Sequence, residues 1–226
     1  MIRHKFGESY NRSQTEINVI HVNRENIFTT PFYDIELDLD NDKIIHECLE
    51  LERNDPKGVQ KSNFNGGWQS DAFDLSQIER GITPEIQKLA SLTIELSNLM
   101  LKEYRSGYRI EYCDIGWWIN INRDVAYNVY HSHPGCSLIG LYYPKVPDLS
   151  PQEGIFTMLR SDPLIHNTAF ADAPNMCQID MKPQEKHLYI MPSIIPHYVT
   201  PHHDNEERIS IAFNIGGVPI DDNNYR

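Results

Sequence analysis

The sharpest chemical feature of the chain is the run Tyr130-His131-Ser132-His133-Pro134-Gly135. Residues i and i+2 of a β-strand point to the same face, so His131 and His133 can turn both imidazoles toward one point. Imidazole is the commonest side-chain ligand of divalent transition metals, and two at this spacing make half a site. Two polar surface histidines beside a turn would read the same way, so the pair needs a third group. His197 supplies one: it ends the stretch HLYIMPSIIPH, where a strand leaves a proline-bounded turn in an apolar context. A histidine buried there costs free energy unless it is hydrogen-bonded or metal-bound. Further on, Arg208 opens the strand-like run RISIAFNI. Its alternation puts Arg208, Ser210, Ala212 and Asn214 on one face and Ile209, Ile211 and Phe213 on the other. An Arg and a Ser side by side on a strand hold a carboxylate through a bidentate guanidinium and a hydroxyl. The plainer reading of Arg208 is a strand-start ion pair with Glu206 or a neighbour.

The elements that position these groups follow from periodicity. Short β-like stretches stand at Ile17 to Val22 and Ile27 to Thr30, and Phe32 to Leu39 alternates apolar with acidic residues as a half-exposed strand does. A helix is expected from Asn41 to Asn54, with Ile44, Ile45, Cys48, Leu49 and Leu51 as its apolar stripe, stopped by Asp55-Pro56-Lys57-Gly58. Asn63 to Asp71 reads as a glycine-containing loop with an exposed aromatic, Trp68. Thr83-Pro84-Glu85 is a helix start, and Ile86, Leu89, Leu92, Thr93, Leu96, Leu99 and Met100 carry that helix to about Tyr104. Beyond Gly107, β-branched and aromatic runs recur at Arg109 to Asn122, Tyr127 to Ser132, Ser137 to Tyr143, Gly154 to Leu159, His187 to Met191 and Arg208 to Ile215.

Two helices followed by at least six strands predict a mainly β fold with packed helices, an antiparallel barrel or a double-sheet jelly roll, the double-stranded β-helix. A doubly wound α/β sheet is disfavoured by the lack of alternation and of a glycine-rich phosphate loop. The whole chain, 1–226, is expected to be a single domain. Residues 1–107 would supply N-terminal strands and supporting helices, and 108–218 the jelly-roll core.

The chain has 226 residues, 20 Lys plus Arg against 32 Asp plus Glu, and a formal charge of −12. That balance argues against bulk binding to nucleic acid or anionic membranes, which rests on Lys and Arg contacts to phosphate. The N-terminal MIRHKFGESYNRSQTEINVIHV lacks the apolar core of a secretion signal, and no run approaches the roughly 20 apolar residues of a membrane span. Cys48, Cys113, Cys136 and Cys177 are scattered without CxxC spacing, which excludes zinc ribbons and thioredoxin-type motifs. They read as reduced thiols in a cytoplasmic compartment.

Taken in order, HxH, GLYYP, Pro-Ser-x-x-x-His and RISIAFNI resemble the Fe(II)- and 2-oxoglutarate-dependent oxygenase superfamily. The chain looks most like a branch in bacteria and their viruses that carries NxHxHPG followed by SGxYY. Here those stretches are Asn128-Val129-Tyr130-His131-Ser132-His133-Pro134-Gly135 and Leu138-Ile139-Gly140-Leu141-Tyr142-Tyr143, with Asn65-Gly66-Gly67-Trp68-Gln69-Ser70 and Trp118-Ile119-Asn120-Ile121-Asn122 also similar. The likeness runs from about residue 60 to 216.

The resemblance implies a jelly-roll dioxygenase with Fe(II) as cofactor and 2-oxoglutarate as cosubstrate. His131 matches the first metal ligand, His197 the distal one, Arg208 the arginine that binds the distal carboxylate of 2-oxoglutarate, and Ser210 completes an Arg-x-Ser pair. At position 133 the family's usual Asp or Glu is His, which implies a three-histidine site; the alternative is that His133 does not bind and a water or substrate group takes its place. Three-histidine iron is familiar from cupin dioxygenases, but these want a Glu three or four residues after HxH, where Ser137 and Leu138 stand.

Asn120, Asn122, Tyr127 and Tyr142 are candidates to line the same mouth and contact 2-oxoglutarate, though buried Asn and Tyr are as common in cores. Trp68 with Gln69 either faces substrate or tucks under a sheet. His187 and His202-His203 are not expected to be ligands, and Cys136 reads as a small buried thiol. The implied partners are dioxygen and a small-molecule or peptidyl substrate, with hydroxylation the default outcome and a homo-oligomer left open. Two other functions stay open: a three-histidine dioxygenase independent of 2-oxoglutarate, and a non-enzymatic jelly-roll module that holds a structural metal or none.

Overall fold

Strand propensity after residue 107 and two amphipathic helices before it build two facing antiparallel sheets with helices against one of them. The computed structural model describes residues 30–74, 84–103, 107–111, 114–160 and 177–219. The expected strands at 17–22 and 27–30 and the Thr83 cap lie outside the described residues. In chain order the elements are β1 (Tyr33–Glu36), α1 (Asn41–Asn54), β2 (Asn63–Phe64), β3 (Trp68–Gln69), β4 (Phe73–Asp74), α2 (Pro84–Glu103) and β5 (Tyr108–Arg109). There follow β6 (Ile115–Asn122), β7 (Tyr127–His131), β8 (Leu138–Lys145), β9 (Phe156–Leu159), β10 (Gln178–Met181), β11 (His187–Pro192), β12 (His197–Val199), β13 (Arg208–Ile215) and β14 (Val218–Pro219). From Pro31 on, the described residues belong to one compact unit.

A seven-stranded sheet runs β1-β11-β8-β13-β6-β3, with β4 also on β6, and a five-stranded sheet runs β10-β9-β12-β7-β2; β5 and β14 form a separate pair. All pairings are antiparallel. The larger sheet is buried on both faces. Ile119, Ile121, Ile209, Ile211, Phe213 and Tyr142 pack with Ile44 of α1 and Ile86 and Leu89 of α2. The opposite face sends Ile139, Leu141, Tyr143, Tyr189 and Ala212 to meet Phe156, Met158 and Val199 of the smaller sheet. Each fully buried large apolar side chain contributes roughly 1.5–3 kcal/mol, so the helices clamp the sheet whose inner face carries the chemistry.

α1 matches its expected span, with Asp40 capping through a carboxylate that accepts from the Lys43 amide at 3.3 Å. The start of α2 is capped from α1: Glu47 accepts from the Glu85 and Ile86 amides at 3.2 and 3.1 Å. The expected stripe of α2 is corrected at Leu99, which is 63% exposed, while Ser97 is buried. Asn63 to Asp71 is also more ordered than a loop. Asn65 and Gly66 take left-handed φ of 57° and 86°, and the reversal carries the chain from β2 in one sheet to β3 in the other. Trp68 is buried, its indole donating to the Asp55 carbonyl at 2.7 Å. Among the described residues no helix is long and apolar enough to cross a membrane.

Candidate metal centre and anion pocket

β7 and β12 pair with His131 opposite His197, and His133 lies just past the end of β7 in the turn that follows. The three imidazoles therefore converge from two adjacent strands: their candidate ligand nitrogens lie within 4.8 Å of one another, and Nε2 of His133 is 3.3 Å from Nε2 of His197. His131 Nδ1 lies 2.6 Å from the Val129 carbonyl and His197 Nδ1 2.9 Å from the Ile195 carbonyl. A carbonyl only accepts, so those Nδ1 atoms carry the protons and the Nε2 atoms present lone pairs. Nδ1 of His133 meets Asn214 Oδ1 at 2.7 Å. Burial holds all three imidazoles below their ordinary pKa, His133 at about 4 and His197 at about 3, with the neighbouring His131 adding to both shifts. They are neutral at pH 7, the form that binds metal. Lone pairs packed this closely repel unless a cation sits among them, so the donor set fits a transition metal such as Fe(II).

The second half of the site lies on the inner face of β6 and β13. Arg208 pairs across with Asn122, Ser210 with Asn120, Ala212 with Trp118 and Asn214 with Gly116. Gln69 of β3 extends the Ser210–Asn120 row. Arg208 is 2% exposed and forms no ion pair with any described residue, Glu206 included. Its Nη1 reaches the Gly154 carbonyl and its Nη2 the Asn128 Oδ1, each at 3.4 Å, and its Nε has no partner among the described residues. Burial pushes its pKa down. Among the described residues, Oδ1 of Asn120 and of Asn122 also lack partners. A buried guanidinium without a counter-charge beside unsatisfied polar atoms fits a small carboxylate.

The structure brings His131, His133 and His197 together and sets Arg208, Ser210 and Asn120 along one interior face. It does not bring Tyr142 there. Tyr142 is fully buried on the helix side, its phenol donating to Asn41 Oδ1 at 2.9 Å, and the inward residue is Tyr143. Burial raises the Tyr143 phenol to about 12, and the charge of Arg208 opposes that shift. Tyr127 is stacked on Phe64 at 6.2 Å. Asn128, whose role the motif does not reveal, supplies an Arg208 contact because β7 carries an extra residue between its His197 and Val199 partners, a β-bulge that turns both Asn128 and His131 inward.

His202, not expected to be a ligand, stands among the polar residues His203, Asp204 and Asn205, yet it is fully buried. Its Nε2 donates to the Asn122 carbonyl at 3.2 Å, and burial and then Arg208 lower its pKa. His187 and His203 pair with Asp34 and Glu153 instead. A cavity of about 340 Å³ opens on the metal side, lined by Lys61, Ser62, Gln69, Trp118, His131 and His133 among others. Gln69 is buried there with no partner for its Oε1 among the described residues. Trp118 stacks on His133, ring centroids 5.6 Å apart and 17° from parallel.

Residues 116–214 match the model of a family described as "Putative 2OG-Fe(II) oxygenase". No curated protein matches the chain in sequence. In structure the chain is similar to a prolyl-4-hydroxylase from Pseudomonas putida, at 14% identity, with 83% of this chain and 93% of that one covered and a TM-score of 0.58. It is similar to a prolyl hydroxylase from Trichoplax adhaerens, solved with a hypoxia-inducible-factor peptide, at 16% identity, 83% and 84% coverage and a TM-score of 0.58. It is also similar to HygX from Streptomyces hygroscopicus, solved with nickel and 2-oxoglutarate, at 16% identity, 88% and 86% coverage and a TM-score of 0.52. The structural likenesses establish the jelly-roll fold, and the family match establishes the resemblance to 2OG-Fe(II) oxygenases over the sheet core.

Proposed function

We propose that this relative of the 2OG-Fe(II) oxygenases is itself an Fe(II)- and 2-oxoglutarate-dependent dioxygenase, a hydroxylase in which His131, His133 and His197 hold the metal and Arg208 with Ser210 takes the distal carboxylate of 2-oxoglutarate. The observation that carries the reading is the buried guanidinium of Arg208, with no acid partner among the described residues, in the interior that also holds three neutral, convergent imidazoles. A structural metal site would account for the histidines but leaves Arg208 unexplained. A three-histidine dioxygenase without cosubstrate explains it only where the substrate itself brings the carboxylate.

When bound, ferrous iron and 2-oxoglutarate together supply dioxygen activation, with decarboxylation of the cosubstrate to succinate, and so oxidise a substrate C–H bond. The chain's own residues prepare that chemistry. Nδ1 of His131 and of His197 is pinned to a backbone carbonyl, so neither ring has to reorient to bind. Arg208 Nε and Nη groups are dry and preoriented, with Asn128 and Gly154 holding the fork in place. Asn120 stands beside Ser210, and the Tyr143 phenol, held protonated by burial, is able to donate to the same carboxylate. Trp118, Gln69 and Lys61 border the 340 Å³ cavity, which suits a polar small molecule or a peptidyl side chain. The reduced thiols of Cys48 and Cys136 support a cytoplasmic setting.

The test is anaerobic loading with Fe(II) followed by 2-oxoglutarate, read by the weak visible charge-transfer absorption of a 2-oxo acid chelated to Fe(II). The band is expected in the wild type and lost in Arg208→Ala at a 2-oxoglutarate concentration that saturates the wild type. No band in the wild type refutes the reading. A band unchanged in His133→Ala leaves two protein ligands and refutes the three-histidine assignment.

A further inference from the structure

His131 and His197 orient themselves. Each ring donates from Nδ1 to the carbonyl two residues earlier in its own segment, Val129 at 2.6 Å and Ile195 at 2.9 Å. His133, which stands beyond the end of β7 in the turn toward Gly135, makes no such contact with the carbonyl two residues earlier. Its Nδ1 instead meets Asn214 Oδ1 at 2.7 Å, from a residue on β13.

We propose that Asn214 is the positioning residue that makes His133 a metal ligand, by holding the ring in the tautomer whose Nε2 is bare. The inference rests on the three-histidine reading above and adds the reason such a site can exist on this fold. A carboxylate at position 133 would offer an oxygen lone pair in either orientation and would need no tautomer chosen for it. An imidazole offers its Nε2 lone pair only when the proton sits on Nδ1, and the group facing Nδ1 decides that. The amide of Asn214 is two-sided: with oxygen toward the ring, His133 donates and Nε2 is free; with nitrogen toward the ring, Nδ1 must accept and Nε2 carries the proton. The first arrangement is the one present, and it points the bare Nε2 at His197 Nε2, 3.3 Å away.

Two features hold that arrangement. Trp118 stacks on the His133 ring at 17° and keeps its plane, and the Asn214 backbone is locked between Gly116 of β6 and Ile139 of β8. Asn214 shares the inward face of β13 with Arg208 and Ser210, so one strand would carry the cosubstrate anchor at one end and the orienter of the third ligand at the other.

The experiment is a Ni(II) competition titration of the folded chain in five forms: wild type, Asn214→Leu, Asn214→Asp, His133→Ala, and His133→Ala with Asn214→Leu. Asn214→Leu removes the acceptor at similar volume and is expected to weaken Ni(II) binding about 10- to 100-fold. Asn214→Asp keeps an oxygen facing Nδ1 and is expected to bind at least as tightly as wild type. With His133 already removed, adding Asn214→Leu is expected to change affinity by less than about twofold, since the residue acts only through that ring. Equal losses with and without His133, or an Asn214→Asp as weak as Asn214→Leu, would overturn the proposal in favour of a packing role. If the wild type takes up no Ni(II), or His133→Ala binds as tightly as wild type, the ligand set itself fails; that outcome differs from a failure at Asn214. Thermal midpoints of the metal-free variants check that each is folded.

Discussion

Replacing Arg208 by Met is expected to make the cosubstrate-free protein more stable and to make 2-oxoglutarate useless to it. Arg208 is 2% exposed and has no acid partner among the described residues. An uncompensated buried ion costs several kcal/mol even after relaxation. Against that stand two long contacts, Nη1 to Gly154 O and Nη2 to Asn128 Oδ1, both 3.4 Å. At that length each returns about 1 kcal/mol, below the roughly 1.5–3 kcal/mol of a well-formed bond to a charged group. Asn128 keeps a second donor in Asn122 Nδ2 at 3.1 Å, so its oxygen is not stranded by the change. Met follows the path of the aliphatic stem, and the balance is a gain of about 1–3 kcal/mol. For a chain of this size that raises the melting midpoint by roughly 3–10 °C. The ligand response should move the other way. With redox-inert Ni(II) in the site, 2-oxoglutarate at a hundred times its Kd stabilises the wild type by about 2.7 kcal/mol, and the Met variant should show little of that shift at the same concentration. The assay is calorimetric or fluorescence-monitored melting of both proteins with Ni(II), with and without 2-oxoglutarate. A Met variant that melts several degrees lower than wild type while keeping the full 2-oxoglutarate shift refutes the argument, because Arg208 would then be a structural cation satisfied by its surroundings.

The metal-free protein is expected to lose stability between pH 7 and pH 5 through its site histidines. An unfolded imidazole protonates near 6.5, whereas His133 and His197 resist until about 4 and about 3. Below pH 6.5 the unfolded chain therefore binds more protons than the folded one, so stability rises with pH through this window and falls as acid is added. At pH 5 the loss is about 2 kcal/mol for each ring. Urea midpoints in the presence of chelator read it, and the same pH difference persisting in a His133→Gln, His197→Gln double variant would assign it elsewhere. Gly154→Ala should destabilise by about 1–2 kcal/mol, since an L residue at its φ of 62° is strained and its Cβ would come 2.6 Å from Leu149 Cδ1. Because the Gly154 carbonyl faces Arg208, the KM for 2-oxoglutarate should rise as well; an unchanged KM alongside a lowered melting point would separate that loop from the anion pocket.

Legibility in the sequence followed the regularity of the backbone. β13 was readable residue by residue because Arg208, Ser210, Ala212 and Asn214 alternate with Ile209, Ile211 and Phe213, and the strand keeps that period against β6 from end to end. α1 was readable because its cap and stop are local. Tyr142 and Tyr143 could not be told apart, because β8 is buried on both faces and its run LIGLYYPK carries no polar alternation to say which ring points inward. The register against β13 also slips between Ile209 and Ile211, so counting back from Arg208 does not recover the parity either. His202 sits in an acidic turn whose composition says surface, and only the packing around Arg208 buries it.

The residues that reading missed are thus not scattered: they stand where the chain breaks its own period. Asn128 and His131 are three apart yet both turn inward, which a strand of period two forbids and an inserted bulge residue permits. Without the bulge, β7 could turn His131 or the Arg208 contact Asn128 inward, but not both. His133 likewise sits beyond the strand end, where its backbone amide donates to the Ser193 carbonyl at 3.0 Å and Asn214 reaches its ring from the other sheet. On the proposed reading, a site that has to hold a metal and a dianion in one dry interior needs more inward-facing polar groups than regular strands deliver. The irregularities are how this chain supplies them.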